Sequence, residues 1–252
     1  MSDDDSDYGL AERADLEEVT APELSYRPPE PKSYEPSIGL VGTGGISEQH
    51  LTAYRDAGWE VAVLCNRTLE KAEKKREEFY PDAEVTDDYH DVLAREDVDV
   101  VDVTTHPEQR VPIIEDAIRA NKHVLSQKPF VEDIDEGERL VSLADDHGVK
   151  LAVNQNGRWA PHFGYIREAV DTGVLGELTG VHAEVDWNHN WIGETELDAV
   201  KHIILYDFGI HWFDVVTCLF DEQPRSVFAS IAASSSQEAT PPLLGQAAVQ
   251  FE

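Results

Sequence analysis

Basic side chains are scarce in this chain. Its 252 residues hold 20 Lys and Arg against 51 Asp and Glu, a formal charge of −31. Phosphate backbones are gripped by clustered cations, so no nucleic acid is expected as a partner, and no anionic membrane surface either. Cysteine is sparse too: Cys65 and Cys218 make no disulfide framework. No apolar run is long enough to span a bilayer. The acidic N-terminus lacks the basic and apolar regions of a signal peptide. A cytoplasmic protein without membrane segments is the expectation. Hydrophobic residues nevertheless make up 41% of the chain, too many for a wholly disordered polymer.

The acids are spread along the chain rather than collected in a tail. A folded protein with such a coat resembles those of extreme halophiles, where concentrated salt screens the self-repulsion.

Residues 1–36 read as an extension. Asp3, Asp4, Asp5 and Asp7 open it, and Pro28, Pro29, Pro31 and Pro36 close it. Leu10 to Val19 has the pattern of a short amphipathic helix. A solvated tail is the expectation, with an arm packed on a neighbouring subunit as the alternative. From Ser37 strands and helices alternate. Strands are expected at Ile38–Val41, Glu60–Leu64, Ala83–Val85, Val98–Val103, His123–Ser126 and Lys150–Val153. Helices are expected at Glu48–Ala57, Leu69–Phe79, Tyr89–Arg95, Gln109–Ala120 and Asp135–His147. That rhythm spells right-handed βαβ units and a doubly wound parallel sheet over residues 37–155, an α/β dinucleotide-binding fold. After Asn154 the rhythm changes. A helix is expected over Phe163–Thr172, a longer strand over Leu178–Trp187, and a mostly apolar helix within Ala199–Leu219. Strands follow at Val227–Ala233 and Gln246–Phe251. Residues 156–252 therefore read as a second, α+β domain.

The first strand runs straight into Gly42-Thr43-Gly44-Gly45-Ile46-Ser47 and then a helix. Strand, glycine turn and helix together form a pyrophosphate site. Gly42 permits the turn, Gly44 admits the ligand, and the helix N-terminus offers N–H groups. A carboxylate at the end of the second strand would hold the ribose 2′-hydroxyl of NAD. It is missing here: the stretch is Cys65-Asn66-Arg67-Thr68. Arg67 is suited to clamp a 2′-phosphate, with Asn66 and Thr68 as further donors. NADP is the expected cofactor, with NAD as the alternative. Ligands of such sheets lie beyond the carboxyl ends of the strands. This directs Thr105 and His106 at the cofactor and puts Lys128, at the end of the fifth strand, where it meets substrate. Asp207 and His211 stand four apart, on one helical face, and a histidine gives and takes protons near neutrality. His182, Asp186, His189 and His202 do not have the spacing of metal ligands, and no metal is expected. Asp186, Trp187 and His189 read instead as lining of a polar substrate pocket.

Four blocks occur in one order: Gly42-Thr-Gly-Gly-Ile-Ser with His50, Lys122-His-Val-Leu-Ser-Gln-Lys128-Pro129, Arg158-Trp159, and Asp207-x-Gly-x-His211. Together they resemble the glucose-fructose oxidoreductase/inositol dehydrogenase/MocA-like (Gfo/Idh/MocA) oxidoreductases, from about Ser37 to the last residue. The resemblance implies a Rossmann domain followed by a domain with an open, mostly antiparallel sheet. It also implies hydride transfer between a nicotinamide and a sugar-like or cyclitol carbon. Lys128 and His211 would handle the hydroxyl proton, and Asp207 would position substrate and His211. The loop residues Thr43, Gly45 and Ile46, together with Pro107, Gln127, Lys128 and Arg158, join the expected cofactor contacts. A homo-oligomer, dimer or tetramer, formed through the open sheet face is also implied.

The chain departs from that pattern. Gln127 stands where a Glu is usual, Arg110 where a His is common, and Lys201-His202-Ile203 where a glycine-rich run is frequent. Members of the family also continue with more strands beyond the position of residues 246–251. These departures keep a non-catalytic nucleotide-binding or regulatory protein as an alternative. A third possibility is a resident NAD serving glycosidic cleavage or epimerisation.

Overall fold

The computed structural model describes residues 20–28, 33–220 and 222–251. The segment Leu10–Val19 lies outside the described residues. The first part is built from β1 (Ser37–Val41), α1 (Ser47–Ala57), β2 (Glu60–Cys65), α2 (Leu69–Phe79), β3 (Glu84–Thr86), α3 (Tyr89–Ala94), β4 (Val100–Val103), α4 (Pro107–Arg119), β5 (His123–Gln127), α5 (Ile134–His147) and β6 (Leu151–Asn154). Each expected strand and helix of this region is present, with no end moved by more than two residues. The six strands pair in parallel in the order β3-β2-β1-β4-β5-β6. The order reverses between β1 and β4, and a crevice opens there beyond the strand ends.

Apolar strands in a parallel sheet must be covered on both faces, and two separate cores provide the cover. Ile38, Leu40, Leu51, Val61 and Leu64 pack one face. Val63, Val101, Val103, Ile114, Ile118 and Leu140 pack the other. A fully buried Leu or Ile contributes about 1.5–3 kcal/mol, so these two layers dominate the stability of the sheet. One carboxylate interrupts the apolar pattern of the strands: Asp102, within β4, is fully buried.

The second part starts with a single 3₁₀ turn (Asn156–Trp159) and α6 (Pro161–Asp171). The expected strand over Leu178–Trp187 does not form. That stretch has no regular secondary structure and pairs with no strand among the described residues. Its Val181, Val185 and Trp187 are exposed, so the alternating pattern has no core to face. A strand needs a neighbour for its backbone donors and acceptors, and periodicity alone does not supply one. The apolar helix expected within Ala199–Leu219 is also shorter and less regular. A π turn (Ile204–Phe208) leads into α7 (Gly209–Thr217), and His202, two residues before the π turn, has a positive φ. The Gly209 N–H reaches back five residues to the Ile204 carbonyl. The last two strands, β7 (Pro224–Ala232) and β8 (Leu244–Phe251), form an antiparallel hairpin. The open, mostly antiparallel sheet is thus two strands wide among the described residues.

Residues 20–28 are mostly exposed, as in a solvated tail, but they are also tethered. Tyr165 on α6 donates to the Pro22 carbonyl at 2.8 Å, and its ring meets Tyr26 edge-on. This portion of the extension is fastened to α6 of its own chain.

Candidate active site

Where β1 ends, Gly42 adopts φ +105, and a Cβ there would stand 2.9 Å from the backbone of Thr104 and Thr105. Only glycine satisfies both demands. Gly44 and Gly45 face open space, with nothing within 4 Å of an added Cβ. Among the described residues, the N–H groups of Thr43, Gly44, Gly45 and Ile46 have no backbone partner. The Thr43 hydroxyl is buried without one. Ser47 ties the turn by donating to the Gly44 carbonyl at 2.6 Å. An open glycine cradle with unused donors at a helix N-terminus fits a pyrophosphate.

At the end of β2 the Asn66 side chain accepts the Thr68 N–H at 2.9 Å, which shapes the entry to α2. Arg67 beside it is exposed and makes no ion pair among the described residues. Thr105 and His106 form the turn after β4, and Pro107 is the first residue of α4. His106 is exposed and points across to Glu196, at 3.7 Å.

Lys128 leaves the end of β5 and crosses to the second part of the chain. Its ammonium donates to the Asp207 carboxylate at 2.9 Å and to the Asp207 carbonyl at 3.0 Å. Both side chains are more than four-fifths buried. Asp207 lies in the π turn and His211 in the first turn of α7, so the widened turn sets both on one side. Such turns are frequent at functional sites. Burial, aided by the Lys128 charge, holds the His211 imidazole below its ordinary value of 6.5, while Asp207 and Asp214 pull the other way.

His211 also lines a cleft of about 270 Å³ with Asn156, Gly157, Phe163, Val185, Trp187, His189, Phe208, Trp212 and Val215. Its walls are mostly aromatic. The His189 and Phe208 rings lie 4.0 Å apart, and Trp187 is 4.7 Å from His189. The His189 Nδ1–H donates to the Trp187 carbonyl, leaving a buried Nε2 without a partner. Trp187 is 64% exposed, open to a ligand in the cleft. Asp186 is exposed and is not among the cleft residues. Arg158 is turned elsewhere: its guanidinium makes a two-pronged pair with Asp214, at 2.8 Å through Nε. Among the described residues no three His, Cys, Asp or Glu side chains converge as metal ligands.

Sequence reasoning passed over a buried polar group behind this site. Asp102 accepts from His50 at 2.7 Å and from Tyr54 at 2.8 Å. The signal was present, since an acid inside a β-branched strand needs partners. Arg110 was noted only as a departure, yet it lies on the core face of α4 with Ile113, Ile114 and Ala117. The residue is 2% exposed, and its guanidinium donates to the carbonyls of Thr105, Gln127 and Pro129. It clips the ends of β4 and β5 together around Lys128. Desolvation pulls its pKa down to about 10.

Two family models match the chain. Residues 37–155 match "Oxidoreductase family, NAD-binding Rossmann fold", and residues 163–252 match "GFO/IDH/MocA C-terminal domain". D-apiose dehydrogenase of Paraburkholderia graminis is 28% identical over 206 residues, 78% of this chain and 53% of that protein. The scyllo-inositol 2-dehydrogenase (NADP(+)) IolW of Bacillus subtilis is 30% identical over 213 residues, 81% of this chain and 56% of that protein. A crystal structure of scyllo-inositol dehydrogenase from Lactobacillus casei, with NAD(H) and scyllo-inositol, superposes with a TM-score of 0.76. At 22% identity it covers 87% of this chain and 67% of that one. The chain spans about half the length of the curated relatives it matches.

Proposed function

The chain belongs to the Gfo/Idh/MocA oxidoreductase family, and on that premise we propose that it transfers a hydride between a nicotinamide cofactor and a sugar-like or cyclitol alcohol or carbonyl. The observation that carries the reading is the Lys128–Asp207 pair, joined across the two parts of the chain at 2.9 Å with His211 one turn away. The cofactor would lie on the Gly42–Ile46 cradle and the strand ends at Thr105–Pro107 and Gln127–Lys128. Once bound, it accepts or returns the hydride. Arg67, free of any ion pair among the described residues, supports NADP over NAD.

In the oxidation direction the hydroxyl proton passes to the neutral His211 imidazole as the carbinol hydrogen leaves with its electron pair and the carbonyl forms. The Lys128 ammonium stabilises the negative charge that develops on oxygen. Asp207 holds Lys128 in place. The aromatic walls at Trp187 and Phe208 offer an apolar face to a ring, and the unpartnered His189 Nε2 offers an acceptor to one of its hydroxyls. Asp186 and Arg158 stand outside this constellation. A homo-oligomer is the proposed assembly.

Titration in molar salt with NADPH and then NADH tests the cofactor, and a panel of inositols and aldoses tests the substrate. Tighter NADPH binding is expected. Tighter NADH binding overturns the Arg67 role, and binding without turnover on the panel favours a non-catalytic protein. His211→Ala should lower turnover by about a hundredfold or more while cofactor affinity is kept. Because the His211 imidazole is held low, the base form dominates at neutral pH. Oxidation should fall only as the pH drops below 6.5, the ordinary value.

A further inference from the structure

Lys128 is held from behind by a chain of hydrogen bonds, and one amide in that chain has only one possible orientation. The Lys128 main-chain N–H donates to the Gln127 side-chain carbonyl at 2.6 Å. That commits the Gln127 oxygen to its own neighbour and turns the Gln127 NH₂ toward the His50 Nε2, 3.3 Å away. The Asn154 NH₂ approaches the same nitrogen at 3.0 Å. Two amide donors on one ring nitrogen require a lone pair there, so the proton sits on Nδ1 and is donated to Asp102 at 2.7 Å. Among the described residues, this imidazole is bonded by Asp102 from β4, Gln127 from β5 and Asn154 from β6, and Tyr54 from α1 meets its ring edge-on. Gln127 and His50 are each 6% exposed, so water does not compete for these bonds.

We propose that Gln127 is a positioning residue that couples the buried Asp102–His50 pair to the Lys128 main chain and sets His50 as the Nδ1–H tautomer. The glutamate expected at this place could not do the same. One carboxylate oxygen would take the Lys128 N–H, and the other would face a nitrogen lone pair. That arrangement requires a second proton, making His50 an imidazolium between two carboxylates. Glutamine replaces this charged triad with a neutral link of the same shape. The name of the positioned residue rests on the proposed function. The hydrogen-bond chain does not.

The test needs neither substrate nor cofactor. In ¹⁵N-histidine-labelled protein at neutral pH, the imidazole that contacts the Tyr54 ring should show a protonated Nδ1 and a lone-pair Nε2. A protonated Nε2 in the natural chain overturns the proposal. Gln127→Glu should give the same ring two protonated nitrogens, and a spectrum unchanged from the natural chain overturns it. In Gln127→Ala the Lys128 amide should exchange with solvent about tenfold faster, having lost its acceptor. Unchanged exchange there also counts against it. If these readouts hold while no oxidoreductase activity is found, the hydrogen-bond link stands and the proposed function fails.

Discussion

The two parts of this molecule hold their strands in different ways. In the first, β1 and β2 are buried over nearly their whole length, between helices on both faces. In the second, β7 and β8 are exposed over most of theirs, with Val227 at 67% and Phe228 at 69%. The parallel sheet is held by two apolar cores. The hairpin is held by its own ladder and by a contact near each end: Phe220 stacks on Phe251 at 4.4 Å at the open end, and Gly245 backs onto Ile204 near the connecting loop. A two-stranded hairpin alone is marginal in water, so its anchorage at the π turn matters. The candidate site draws one half from each regime. Lys128 comes from the covered sheet, while Asp207 and His211 come from a turn backed by the exposed hairpin.

Substitutions sharpen this contrast. The largest loss is expected for Gly42→Ala, which meets both a positive φ and backbone atoms at 2.9 Å. About 3–4 kcal/mol of stability should disappear in denaturant unfolding, and nucleotide binding with it. Gly44→Ala is its control, since open space surrounds that position. Stability should change by less than about 1 kcal/mol, so any loss of cofactor affinity reports on the cradle alone. Arg110→Met comes next. It keeps the apolar stem but strips the donors from two buried carbonyls and one part-buried one, at a cost of about 2 kcal/mol. Phe228→Ser on the hairpin should shift unfolding by no more than about 0.5 kcal/mol. A loss of 2 kcal/mol or more there, dependent on protein concentration, would break the comparison by showing that another copy covers this face.

Much of the first part was legible because each element carried a complete local signal. Apolar runs and helix periodicity agree with one another there. The cradle at Gly42 was legible for the same reason. Lys128, Asp207 and His211 were named from their motifs, and the structure places them together. The network of Asp102, His50 and Asn154 was not assembled in advance, because its members stand on separate strands and a helix. Arg110 was visible only as an odd residue, since its three carbonyl partners come from the end of β5 and from the turns after β4 and β5.

The second part shows the limit from the other side. Alternation over Leu178–Trp187 was real, but a strand is a statement about its neighbours, and no neighbour flanks it among the described residues. By itself the sequence determined the parallel α/β sheet, the order of its elements and the identity of the chemically able side chains. Those follow from local periodicity and from backbone demands that one residue type alone meets. Only the tertiary structure decided which polar groups converge, which alternating stretch pairs, and that Arg158 turns to Asp214. Convergence depends on contacts between residues up to 104 positions apart, and no local pattern encodes them.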